Sequence, residues 1–227
     1  GLYAVQTTYG GPAALRRFVD AAHHHGLAVI LDVVYNHLGN EGNYLRQFGP
    51  YFTAKHQTPW GEAINYDDEG SSPVRRFIVG NALYWIAEYH IDGLRLDAVQ
   101  TIKDDSPKHI VAEIAERVHG LGRELGRTVT VMPETDENDA RYLTDYGCDG
   151  VWSDDFHHAI HTLLTGENKG YYQDFAGHPG LLVRALNEGF AFQGEAFKFW
   201  NHARGTSAKA ARCGPDHCRA RPTPEGQ

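Results

Sequence analysis

Three cysteines in 227 residues cannot make a disulfide framework, so the sequence reads as one suited to a reducing, cytoplasmic setting. Basic side chains are also scarce. The 21 Lys and Arg stand against 29 Asp and Glu, a formal net charge of −8. A nucleic-acid binder concentrates positive charge to meet phosphates, and this balance argues against one. Long hydrophobic runs are missing as well. The most apolar stretch, 26–34, already contains Asp32, and nothing approaches the roughly 20 apolar residues of a spanning helix. No charged-then-apolar leader follows Gly1, which is read as a processed or missing start. There is no internal repeat, and neither G-x-G-x-x-G nor G-x-x-x-x-G-K-[ST] occurs. With 41% hydrophobic residues and a mean hydropathy of −0.47, general disorder is a poor reading too.

What is present is alternation. Residues 12–25 predict a helix, with Pro12 at its opening, apolar Leu15, Phe18, Val19 and Ala22, and Gly26 as the stop. A buried strand follows over 27–34. A second helix is expected over 74–89, a short strand over 93–98, a third helix over 107–125, and a β-branched strand over 128–132. Residues 150–152 form a further strand candidate and 157–164 a further helix. Repeated strand–helix order implies parallel strands covered by helices, either as an open doubly wound sheet or as a (β/α) barrel. The absence of a phosphate-binding glycine loop takes support from the first. The segment 36–72 is long, polar and aromatic, and is expected to be an inserted loop subdomain or lid. The end of the chain, 205–227, has no apolar period and is expected to be a disordered tail. Cys213, His217 and Cys218 within it do not supply the four ligands of a zinc site.

The strongest signal is where the acids sit. Each candidate strand ends in polar groups: Asp32 with Asn36 and His37, Arg95 with Asp97, Glu134, and Asp154 with Asp155. In a (β/α) barrel all strand carboxyl ends open on one face, and residues distant in sequence converge there. Two converging carboxyl groups suit glycosidic-bond cleavage. One attacks the anomeric carbon and the other hands a proton to the leaving oxygen, with configuration retained when they stand about 5–5.5 Å apart. Arg95 lies two residues before Asp97, hence on the same strand face, where a guanidinium holds the acid ionised. Glu134 follows the apolar run 129–133 and is expected to sit drier and keep its proton.

DVVYNH (32–37), GLRLDAV (93–99) and MPETDEND (132–139) resemble conserved segments of the α-amylase family of glycoside hydrolases. The resemblance implies a (β/α)8 TIM barrel of which this chain holds roughly strands 3 to 6, with the loop subdomain after strand 3. It implies Asp97 as nucleophile and Glu134 as acid/base. Arg95 matches the arginine beside the nucleophile, His37 the histidine that touches the sugar at the cleavage point, and Asp32 and Asn36 its supporting neighbours. HLGNEGNYL (37–45), GEAINYDDEGS (61–71) and VWSDDFHHAIHTLLTGENKGYYQDF (151–175) are similar to members that act on maltooligosyl trehalose and release trehalose. Asp154, Asp155, Phe156, His157 and His158 would then line the trehalose side. Glycogen-branching members share the first motifs and are the nearest rival; a non-catalytic remnant that binds α-glucan is a third reading.

The resemblance covers 1–204, and the family's third acid, in an Asn-His-Asp motif, has no counterpart: Asn201-His202 is followed by Ala203. A partial barrel with exposed apolar edges is expected to be weakly stable and inactive by itself. No cofactor and no metal is expected, and the partner is an α-glucan, with neither nucleic acid nor membrane. His23 to His25 at a helix end suit the dipole better than a metal. His157 and His161 have the spacing of zinc helices but lack the accompanying glutamate. Asp67, Asp68 and Glu69 read as a solvated acidic loop, not a calcium site.

Overall fold

The computed structural model describes residues 1–39 and 41–209. The described residues separate into two compact units: Gly1–Thr135 with Asp145–Trp152, and Asp136–Thr144 with residues 153–209.

The first unit is built on a parallel sheet. α1 (Gly11–His24) carries Pro12 in its first turn and buries Val19. β1 (Ile30–Val33) follows, and then an antiparallel hairpin, β2 (Phe52–Thr58) and β3 (Gly61–Ile64). α2 (Ser71–Tyr89) buries Val74, Ile78, Ala82, Trp85, Ile86 and Tyr89, a stripe at helical spacing. β4 (Gly93–Leu96) leads to α3 (Ile110–Glu124), which buries Ile110, Val111, Ile114, Ala115 and Val118. β5 (Thr130–Thr135) comes next, and Trp152 closes the unit in β6 (Trp152–Ser153). The sheet order is β1-β4-β5-β6, with β1 parallel to β4 and β4 parallel to β5. This is the strand–helix succession of a TIM-type barrel, present here in part. Leu94 and Val131, register partners that share one face of the sheet, are fully buried, whereas Arg95 and Met132 on the other face are half-buried. Gly93 is required where it stands: an added Cβ would lie 2.3 Å from Thr130 Oγ1 and 3.1 Å from the Thr130 carbonyl oxygen.

Two differences from the sequence reading are informative. The first strand is shorter than 27–34, and Ile30 is 46% exposed. Among the described residues β1 pairs on one side only, so half its surroundings are those of an edge. The segment 36–72, expected to be an inserted loop subdomain or lid, carries two regular strands. It folds into the β2/β3 hairpin, whose base is tied down by Tyr66 Oη donating to the Tyr35 carbonyl at 2.7 Å. Asp67, expected to be solvated, has a side chain only 1% exposed, with its Oδ2 accepting from Lys55 Nζ and the Asp105 N–H and paired with His56 Nε2. Burial alone would raise its pKa, but these partners outweigh that and bring it down to about 2.

The second unit holds α4 (Arg141–Thr144), α5 (Asp154–Thr165), α6 (Gly180–Glu188) and a small antiparallel pair, β7 (Glu195–Phe197) and β8 (His202–Arg204). Its core is Ala159, Phe175, Ala185, Ala191, Phe192 and Phe197. Most of these lie in loops and short strands, so no period in the sequence announces them. Residues 205–209 are anchored: the Thr206 N–H donates to the Asn138 carbonyl at 2.9 Å, and its Oγ1 accepts from the Ala140 N–H at 2.8 Å. Cys213, His217 and Cys218 lie outside the described residues.

Candidate active site

Parallel register brings the polar strand ends of the first unit together. Asp32 pairs with Arg95 across β1 and β4, and Leu96 pairs with Pro133 across β4 and β5. Asp97 and Glu134 each stand one residue beyond that last pair, on strands about 4.8 Å apart. Arg95 bridges the set. Its Nη1 donates to both Asp32 carboxylate oxygens at 2.7 and 2.8 Å and to Asp97 Oδ1 at 3.1 Å, and its Nη2 lies 3.6 Å from Glu134 Oε2. Partial burial would lower the Arg95 pKa. The three carboxylates, Asp32 foremost, outweigh it and hold the guanidinium above its ordinary value. Asp32 and Asp97 against one guanidinium leave an excess of negative charge, suited to a developing oxocarbenium ion.

The remaining residues fix this geometry. Asn36, almost fully buried, donates through Nδ2 to the Asp97 carbonyl at 2.6 Å and to Asp97 Oδ2 at 2.9 Å. His37 Nδ1 is hydrogen-bonded to Asn36 Oδ1. The Ala98 N–H donates to Glu134 Oε2 at 2.7 Å, and Ala98 adopts a left-handed backbone with φ of 41° to aim it. That conformation costs an L residue about 1–2 kcal/mol. The Glu134 side chain is 14% exposed against 31% for Asp97, so the drier carboxyl is the one expected. Three participants were not legible in the sequence: the Ala98 N–H, Trp152, whose ring lies 6.0 Å from the Arg95 guanidinium, and Trp60, which stacks on His37. Each follows from backbone placement, not from residue type.

Asp154 to His158 belong to the second unit and form their own constellation. Ser153 caps α5 by accepting from the Asp155 N–H. Asp155 is fully buried. Its Oδ2 accepts from Asn138 Nδ2 and from the Ala191 and Phe192 N–H groups, and its Oδ1 lies 2.8 Å from Arg204 Nη2. Phe156 is exposed. His158 lines a cavity of about 150 Å³ together with Asp136, Asp154, Tyr171, Phe199, Trp200 and others. The His158 ring stacks on Tyr171 with 4.7 Å between centroids, and its buried Nδ1 has no hydrogen-bond partner. Burial first, then the charges of His157, Arg204 and His161, push its pKa down to about 4. We expect the ring to stay neutral until the pH nears 4. Between pH ~6.5 and ~4 the unfolded chain takes up a proton that the folded ring refuses, so stability falls as pH drops through that window. Urea midpoints measured against pH should show this slope, and His158→Asn should flatten it.

Two clusters have donor atoms close enough to invite a cation: Asp154, His157 and His158, and His56, Asp67 and Asp105. In the first, the Arg204 charge that disfavours the His158 cation would also disfavour a metal. In the second, the Lys55 ammonium already lies 2.8 Å from Asp67 and 3.1 Å from Asp105.

A family profile described as "Alpha amylase, catalytic domain" matches residues 1–60. The chain is similar to the α-amylase family of glycoside hydrolases. Within it, the chain is similar to malto-oligosyltrehalose trehalohydrolases: 50% identical to that of Saccharolobus solfataricus over 92% of this chain and 36% of the relative. The Arthrobacter ramosus protein of the same name is 47% identical over 89% of this chain and 36% of the relative. A crystal structure of an alpha-amylase-type protein from Salmonella typhimurium superposes with a TM-score of 0.81 at 43% identity, covering 91% of this chain and 36% of that one. The chain thus spans about a third of the length of the curated relatives it matches.

Proposed function

We propose that this chain carries the catalytic carboxylates of a retaining hydrolase that cuts the α-1,4-glucosidic bond next to the terminal trehalose of maltooligosyl trehalose. The observation that carries the proposal is the Arg95 bridge between Asp97 and Glu134 at the ends of adjacent strands. Asp97 attacks the anomeric carbon while Glu134 protonates the departing trehalose oxygen. Water, activated by Glu134, then releases the glucan from Asp97. Asp32 and Asn36 orient Arg95 and Asp97, and His37 and Arg95 meet the sugar. In the second unit, Asp154, Phe156, His157 and His158 offer acceptors and ring faces to sugar hydroxyls, as the similarity to the trehalose-releasing relatives implies. Asp155, being buried, acts by holding those residues in place.

The test splices residues 1–204 into the Saccharolobus solfataricus relative in place of the segment they match. Trehalose is expected from maltooligosyl trehalose, with the newly formed reducing end in the α configuration by NMR. New α-1,6 linkages would instead favour the branching reaction, in which a glucan hydroxyl replaces water. The isolated chain is expected to show no turnover. In the spliced enzyme, Glu134→Gln should abolish cleavage of maltooligosyl trehalose but spare enzyme glycosylation by an α-glucosyl fluoride, whose leaving group needs no proton. Equal losses on both substrates would remove the acid/base assignment.

A further inference from the structure

We propose that Trp60 is a positioning residue that holds the nucleophile Asp97 in register through His37 and Asn36. The inference rests on the reading of Asp97 as nucleophile, but its first test needs no turnover. Trp60 occupies the turn between β2 and β3. Its N–H donates to Thr58 Oγ1 at 3.2 Å, and the Thr58 hydroxyl donates to the Gly61 carbonyl at 2.9 Å, which closes the turn. An indole at a hairpin tip ordinarily points to water. Here it lies face to face with the His37 ring, with centroids 4.2 Å apart and planes within 15°, and it remains 39% exposed on the other side.

The consequence runs through hydrogen-bond directions. Asn36 can give two N–H bonds to Asp97, one to the carbonyl and one to Oδ2, only with its amide nitrogen facing that way. Its Oδ1 must then accept from His37, which puts the imidazole proton on Nδ1. Nε2 is left as an acceptor for a sugar hydroxyl. A histidine ring turns about two side-chain torsions, and stacking on Trp60 fixes the plane in which Nδ1 meets Asn36. The hairpin is itself anchored at its base by Tyr66 and Asp67, so Trp60 is carried by a fixed support. Remove the indole and the imidazole can turn, Asn36 loses the acceptor's partner, and the Asp97 carboxylate loses its second donor.

The experiment has two arms. In the 227-residue chain, long-range ¹H–¹⁵N NMR of His37 should show the single Nδ1–H tautomer in the wild type and in Trp60→Phe, and a mixture of tautomers in Trp60→Ala. In the spliced enzyme, Trp60→Ala should lower kcat about 10-fold with little change in KM, the scale expected from a displaced reacting group, and Trp60→Phe should restore it. A fixed tautomer in Trp60→Ala, or a rise in KM alone, would overturn the proposal in favour of a simple sugar-stacking surface. If no member of the spliced series turns over, the hydrolase reading falls, and the tautomer series still decides the role of Trp60.

Discussion

Replacing Asp97 by Asn in the spliced enzyme is expected to cut kcat by about 10⁴-fold or more, the scale seen when a covalent nucleophile is removed from an otherwise intact site. The amide keeps the size but has a single acceptor oxygen, so it keeps the bond from Arg95 Nη1 or the one from Asn36 Nδ2 and not both, a loss at a partly exposed side chain that the fold should survive. What disappears is the anionic oxygen that attacks the anomeric carbon. Its neighbour Asp32 cannot substitute, because it lies two residues earlier in the register, opposite Arg95. The Asp97→Asn protein should therefore melt at a temperature close to wild type and bind glucan, yet form no covalent glycosyl adduct with a slow-releasing α-glucosyl fluoride. A covalent adduct on any other residue, or turnover within tenfold of wild type, would remove Asp97 from the mechanism and the proposed reaction with it.

The largest effect on stability is expected at Arg204. Its side chain is 2% exposed and faces the fully buried Asp155 at 2.8 Å, and its Nε donates to the Asp136 carbonyl at 2.6 Å. Four rings surround the guanidinium, with Phe197 nearest at 4.6 Å and Trp200 at 5.1 Å. Burial pulls its pKa down despite Asp155 and the neighbouring acids, a sign that this charge is held at a cost. Arg204→Met keeps much of the apolar stem but strands the Asp155 carboxylate without its cation, and losing one member of a buried pair costs about 3–5 kcal/mol. The loss should appear in the second unit, read by amide exchange over residues 153–209. The double variant Asp155→Asn/Arg204→Met should recover part of it, since no uncompensated charge remains and the amide oxygen can still accept from the Ala191 and Phe192 N–H groups. A loss below about 1 kcal/mol in Arg204→Met would show the pair to be dispensable.

Most of the first unit was legible before any coordinates, and for one reason. Its helices and strands carry apolar residues at fixed spacing because each must cover a continuous sheet, although that spacing does not say which of them are buried: Val19 on α1 is buried while Phe18 beside it is 61% exposed. The same regularity placed Asp97 and Glu134 just beyond the ends of apolar runs. The second unit was less legible. Phe175, Phe192 and Phe197 meet from loops and a short strand, so their spacing in the chain carries no period. The hairpin in 36–72 was hidden in the same way: its register shifts between Thr53 and Gln57, which breaks the alternation that would have marked it.

The sequence by itself determined the class of chemistry, because residue type at a strand end is a local property: Asp32, Arg95, Asp97 and Glu134 are written in the chain whatever surrounds them. Tertiary structure alone decided how those groups are held. One guanidinium spans three carboxylates, an alanine N–H in a strained turn reaches Glu134, and Trp60 lies over His37. It also decided that Asp155 is withdrawn into the interior while Phe156 beside it faces outward. Such outcomes depend on which backbones are brought within a few ångströms of one another, and that is a property of the packed sheet and hairpin, not of any segment read alone.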